Sequence, residues 1–129
     1  MKTRRLLLTG FLVASWVLWL AGCGSNDVNY ITFEPTAWKS ADPLKERPRT
    51  VRSQMIKDLL RRNDFHGWTR EQVVVLLGEP TAKWSGFEQW DIIYVLGVER
   101  AGSYSLDDEA LGFNFDQSGR VSKYGLSVN

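Results

Sequence analysis

The stretch Trp68-Thr69-Arg70-Glu71-Gln72-Val73-Val74-Val75-Leu76-Leu77-Gly78-Glu79-Pro80-Thr81 carries a full set of helix start and stop signals. Thr69 with Gln72 three residues later fits a capping box. In that motif the hydroxyl accepts the N–H of the third helical residue, and the amide reaches back to the cap residue. Trp68 before the cap and Val73 four residues into the helix fit a hydrophobic staple, and Glu71 suits the positive end of the helix dipole. Val73, Leu76 and Leu77 share one face. Gly78 stands where a helix turns into positive φ, and Pro80 forbids continuation. A helix of about eight residues is marginal alone, so this face must pack on something else.

The neighbouring sequence supplies the partners. Upstream, Val51, Met55, Leu59 and Leu60 recur at helical spacing among Arg52, Lys57, Asp58, Arg61 and Arg62, which predicts an amphipathic helix over 51–62. Residues 63–67, NDFHG, break it. Downstream, residues 88–97, EQWDIIYVLG, predict a strand with Trp90, Ile92, Tyr94 and Leu96 on one face. Residues 110–116, ALGFNFD, predict a second, with Leu111, Phe113 and Phe115 alternating. Asp116-Gln117-Ser118-Gly119 is hairpin chemistry with Gly119 at positive φ, leading into a third strand over 120–128. Val121 is out of phase with Tyr124, Leu126 and Val128, which predicts a bulge near 122 or 123. The expected fold class is α+β: two N-terminal helices packed on one face of a three-stranded antiparallel meander, in the order ααβββ.

Composition bounds the function. A chain of 129 residues with 43% hydrophobic and 24% charged residues fits one globular domain with extensions. A formal charge of +1 gives no reason to expect a nucleic-acid partner. One cysteine and one histidine exclude an internal disulfide and the usual zinc ligand sets, so no metal is expected.

The cysteine closes the segment MKTRRLLLTGFLVASWVLWLAGCGS. Lys2, Arg4 and Arg5 form a positive start, and Leu6 to Leu20 form an apolar run followed by small residues, which reads as an export signal over 1–22. Leu20-Ala21-Gly22-Cys23 resembles a bacterial lipobox. That resemblance implies cleavage before Cys23 and a diacylglyceryl group on its sulfur with acyl modification, the one attached group expected and no other cofactor. Two or more chains give stable anchoring without a spanning helix. An uncleaved membrane anchor is the other reading of the same run. Thr3-Arg4-Arg5-Leu6 also resembles a twin-arginine signal, leaving two export routes open. Gly24 after the anchor cysteine, where inner-membrane lipoproteins carry Asp, implies the outer membrane.

Residues 24–49 hold prolines at 35, 43 and 48 without sustained periodicity and read, with Cys23, as a tether over 23–49. Tyr30, Ile31, Phe33 and Trp38 are more apolar than a pure tether needs. Residues 23–62 carry eight basic and five acidic residues, and 63–129 carry five basic and ten acidic. The basic half lies next to the lipid. Attraction to anionic head groups and a solvated helix face are both open readings.

Gly67-Trp68-Thr69 leading through Val73 to Leu77-Gly78-Glu79-Pro80, the aromatic strand at Trp90 and Tyr94, then Leu111 to Phe115 and Asp116 with Gly119-Arg120-Val121, together resemble the SmpA/OmlA family over residues 50–129. The resemblance implies a fold similar to half of the β-lactamase inhibitor protein. It further implies an outer-membrane lipoprotein at the periplasmic face, a non-enzymatic protein-binding module and accessory of outer-membrane β-barrel assembly. The residues leave a second reading, an envelope lipoprotein that inhibits or senses another protein.

Catalytic signatures are absent from the sequence: it has no GxSxG, no phosphate-cradling glycine run and no cofactor fingerprint. Asp107, Asp108, Glu109 and Asp116 form an acidic cluster without calcium-loop spacing. Partner contacts are expected at two places. One is the strand face bearing Ile93 and Val95, exposed unless something covers it. The other is the loop from Val98 to Glu109 with Tyr104, Asp107 and Asp108.

Overall fold

A computed structural model describes residues 30–46, 50–82, 84–98 and 107–129. The order is α1 (Pro35–Ser40), α2 (Val51–Arg62), α3 (Arg70–Leu77), β1 (Ile92–Val98), β2 (Asp108–Phe115) and β3 (Val121–Val128). The three strands form one antiparallel sheet in the order β1-β2-β3, so the fold is α+β with a meander.

α2 and α3 begin where their caps dictate. Thr50 accepts the Ser53 N–H at 3.0 Å. At α3 both halves of the capping box form, Gln72 N to Thr69 Oγ1 at 3.2 Å and Thr69 N to Gln72 Oε1 at 2.8 Å. Trp68 is partly buried against the core cluster that contains Val73. Gly78 ends α3 at φ 82° and ψ −171°, its N–H donating to the Val74 carbonyl at 2.7 Å. This is not the left-handed helical turn but the extended positive-φ region that almost only glycine enters. The Gly78 carbonyl accepts the Tyr94 hydroxyl at 2.8 Å, tying the end of α3 to β1.

The residues before Arg47 correct the expected tether and the count of two helices. Pro35 occupies the first position of α1, where its missing N–H costs nothing. Glu34 caps the helix by accepting Thr36 N at 3.0 Å and Ala37 N at 2.6 Å. Trp38 is fully buried in the main core with Met55, Ile56, Leu59, Phe65, Val73 and Leu77. The chain before it runs beside α2, with Ile31 N donating to the Gln54 carbonyl at 3.1 Å and Phe33 N to Asp58 Oδ2 at 2.7 Å. The helical layer therefore has three members, all contributing to one core with Ile92, Tyr94, Leu96, Leu111, Phe113 and Val121.

The predicted bulge is at Ser122: Asn114 pairs with Lys123 and Phe115 with Val121, leaving one residue over. A second irregularity lies between Val95 and Gly97. There the Leu96 carbonyl accepts the hydroxyl of Thr50, which also caps α2. The hairpin turn is as expected, with Gly119 at φ 80° and Asp116 Oδ1 accepting the N–H groups of Ser118 at 2.9 Å and Arg120 at 3.0 Å.

Candidate functional site

Ile93 and Val95 do project from the sheet face opposite the helices, but that face is covered. They are 3% and 0% exposed, packed in a second cluster with Phe87, Trp90 and Ala110, with Trp84 partly buried against it. The cover is the irregular segment between Thr81 and β1. The exposure that would have made these two residues a partner surface is therefore not present.

Trp90 is central to that cover and lies on the other side of the sheet from where strand alternation predicts it. β1 starts only at Ile92, so the alternation of Ile92, Tyr94 and Leu96 does not extend back to residue 90. Its ring lies across the cross-strand pair Gly112 and Gly125: a Cβ on Gly112 would meet Trp90 Cδ2 at 2.1 Å. Only a glycine allows so large a ring that close to the backbone. Trp90 Nε1 donates to Ser127 Oγ at 2.9 Å, and Lys123 Nζ stands 5.4 Å from the ring centroid.

The acidic loop residues divide. Tyr104 and Cys23 lie outside the described residues. Asp107 is exposed just before β2, but Asp108 and Glu109 open that strand and are only 8% and 7% exposed. The acidic group is thus partly in the sheet rather than wholly in a solvated loop. Among the described residues no group of three or more His, Cys, Asp or Glu side chains is placed to hold a metal ion.

His66 does find a carboxylate. Its Nδ1 is 2.7 Å from Asp64 Oδ1, with the Tyr124 ring 4.9 Å away. Both members are exposed, and the same oxygen accepts the His66 backbone N–H at 3.1 Å. That backbone bond leads the effects that lower the Asp64 pKa below its usual range. The pair closes the turn between α2 and α3.

A more distinctive feature stands on the helical layer. Pro35, Trp68, Glu71, Gln72, Val75 and Leu76 line a shallow groove of about 480 Å³ between the start of α1 and the outer side of α3. The geometry of α3 produces it: turning Val73 and Leu77 into the core leaves Val75 outside, 73% exposed. Trp68 forms one wall and is braced edge-on against Phe65 at 4.7 Å. A valine so bare beside tryptophan, proline and leucine is an apolar surface that none of the described residues covers. The run of five apolar residues carried this signal, since a helix of that length cannot bury all of them on one side. A smaller cleft of about 360 Å³ lies at the far end of α3, with Arg70, Glu79, Trp84, Phe87 and Asp91 among its walls.

Charge gathers on the exposed side of α2. Asp58 accepts from Arg61 Nη2 at 2.7 Å and Arg62 Nε at 2.8 Å. The Arg61 bond, then the Phe33 N–H, hold the Asp58 pKa down at about 2. Lys57 sits over the Tyr30 ring at 4.5 Å. Arg52 is different, 7% exposed, with Nε donating to the Trp38 carbonyl at 3.1 Å and its guanidinium 5.2 Å from the Trp38 ring. Burial pulls its pKa below the usual value. It serves as a brace between α1 and α2.

Cys23 is seven residues before Tyr30, so a fully extended link between them spans at most about 25 Å. Among the described residues no helix is long and apolar enough to cross a membrane. No family model matches the chain, and neither a curated protein nor a solved structure matches it.

Proposed function

We propose that this chain is a lipid-anchored envelope protein whose domain is a non-enzymatic protein-binding module, an accessory of outer-membrane β-barrel assembly. The observation that carries the binding role is the apolar groove around Val75, which at 73% exposed is the barest large apolar side chain among the described residues. The anchor rests on the lipobox at Leu20 to Cys23 behind a basic, apolar leader. The assembly role and the outer-membrane, periplasmic location rest on the SmpA/OmlA resemblance of residues 50–129. A fold like half of the β-lactamase inhibitor protein belongs to the same reading, and the α+β meander is compatible with it.

In this reading the anchor holds the domain within a short reach of the membrane surface while α3 presents the groove. The partner supplies an apolar element, such as the face of an amphipathic helix, to cover Val75, Leu76 and Trp68. Capture from detergent-solubilised envelopes tests this with the intact chain and a Val75→Glu variant. The substitution is at an exposed helical position and should leave stability within about 0.5 kcal/mol. Barrel-assembly proteins should be recovered with the parent chain and lost with Val75→Glu. Recovery of a hydrolase or a signalling protein in their place would overturn the assembly reading in favour of an inhibitor or sensor.

A further inference from the structure

The two edges of the sheet are treated differently. The β1 edge is closed: Thr81 N donates to the Ile93 carbonyl at 2.8 Å, Val95 N donates to Thr81 Oγ1 at 3.1 Å, and the Thr50 hydroxyl takes the Leu96 carbonyl. The β3 edge is closed only at its start, where Gly67 N donates to the Val121 carbonyl at 2.9 Å and Val121 N to the Trp68 carbonyl at 2.8 Å. Beyond the bulge at Ser122, the described residues place no chain beside it.

The phase of this open stretch follows from the ladder. Asn129 N donates to the Asp108 carbonyl, and Ser127, Gly125 and Lys123 stand opposite Ala110, Gly112 and Asn114. In an antiparallel pair the backbone bonds alternate, so residues 123, 125 and 127 bond inward to β2. The N–H and C=O groups of Tyr124, Leu126 and Val128 then point to the open side. The side chains of the same three residues lie on the helical side of the sheet, where Leu126 and Val128 are 39% and 41% exposed. Unpaired backbone and uncovered apolar side chains therefore coincide on alternate residues.

We propose that this edge pairs with the β3 edge of a second copy of the chain, antiparallel, with the two-fold axis at Leu126. In that register Leu126 faces Leu126 of the other copy and Tyr124 faces Val128, all as hydrogen-bonded pairs, giving six bonds between chains. The three open positions are centred on Leu126, so self-pairing leaves no outward-pointing backbone group of Tyr124, Leu126 or Val128 without a mate. Because the β1 edge is closed, the association is two-fold and stops at a dimer rather than growing into a fibre.

Single cysteines test the register. The full chain carrying Cys23→Ala, purified in mild detergent, receives Leu126→Cys, Val128→Cys or Ser122→Cys and is oxidised. Hydrogen-bonded pairs place Cα atoms about 5.5 Å apart, within disulfide range. Leu126→Cys should form a covalent dimer. Val128→Cys, on the same face, should not, because its mate lies four residues along the strand, about 14 Å away. Ser122→Cys should not either. Leu126→Pro removes one outward N–H from each copy and leaves every bond to β2, so by sedimentation it should weaken association about tenfold or more while thermal unfolding still shows a folded domain. Equal cross-linking at 126 and 128, none at 126, or a parent chain that sediments as a monomer overturns the proposal.

Discussion

Replacing Trp38 by Ala tests whether the segment before Arg47 is a tether or part of the fold. Trp38 is 0% exposed, stacks edge-on with Phe33 at 5.7 Å, lies under the Arg52 guanidinium and packs in the main core. Truncating a buried tryptophan costs about 3–5 kcal/mol from lost transfer energy and the cavity left behind. Arg52 would also lose the ring it covers, worth about 1 kcal/mol or more at a desolvated site. A domain of this size has about 5–15 kcal/mol in all, and each kcal/mol moves the melting temperature by about 4–8 °C. Urea titration followed by circular dichroism should therefore show a loss of about 3 kcal/mol or more, a Tm fall above about 12 °C, and an unchanged m-value. Trp38→Phe should lose less, and Tyr30→Ala, at a 48% exposed position, should be nearly neutral. A Trp38→Ala variant within about 0.5 kcal/mol of the parent would show that α1 does not belong to the core.

Three further outcomes follow from other elements. Gly78→Val should destabilise by about 1–3 kcal/mol in the same titration, since a β-branched residue resists φ 82° and its Cβ would press on Lys39 Cγ at 3.2 Å; an unchanged transition midpoint refutes the assigned helix end. Asp58 has its folded pKa depressed to about 2, below the ordinary aspartate value, so its contribution is present above about pH 4 and is lost as pH falls towards 2. Asp58→Asn should flatten the acid limb of a stability-versus-pH curve, and a limb as steep as the parent's would contradict this. Cys23→Ala, in a chain whose residues 1–22 are exchanged for a secretory leader that is cleaved without a cysteine, should leave the far-ultraviolet spectrum unchanged but release the domain from membranes after a carbonate wash, and retention in the pellet would count against the lipid anchor.

Where caps and periodicity act locally, the sequence could be read residue by residue. Thr50 and Thr69 set the starts of α2 and α3, and the phase slip between Val121 and Tyr124 located the bulge at Ser122. α1 was hidden because Pro35 reads as a breaker although it sits at a helix start, Glu34 is an uncommon cap, and six residues show no period. Strand alternation puts Trp90 on the wrong face because its position is fixed by Gly112 and Gly125, one and two strands away, which no window around residue 90 contains. The burial of Ile93 and Val95 has the same origin, an irregular segment whose packing has no local signature. The groove at Val75 was legible in principle, as the excess of apolar residues on an eight-residue helix.

The lipid anchor on Cys23 is what would hold the domain at the envelope membrane. Intact mass spectrometry of the chain recovered from bacterial membranes addresses it directly. The expected product begins at Cys23, lacks residues 1–22 and carries the mass of a diacylglyceryl group on that residue, with any further acyl chain on its amino group. A chain that retains residues 1–22, or one that begins elsewhere with an unmodified thiol, would contradict the lipid anchor.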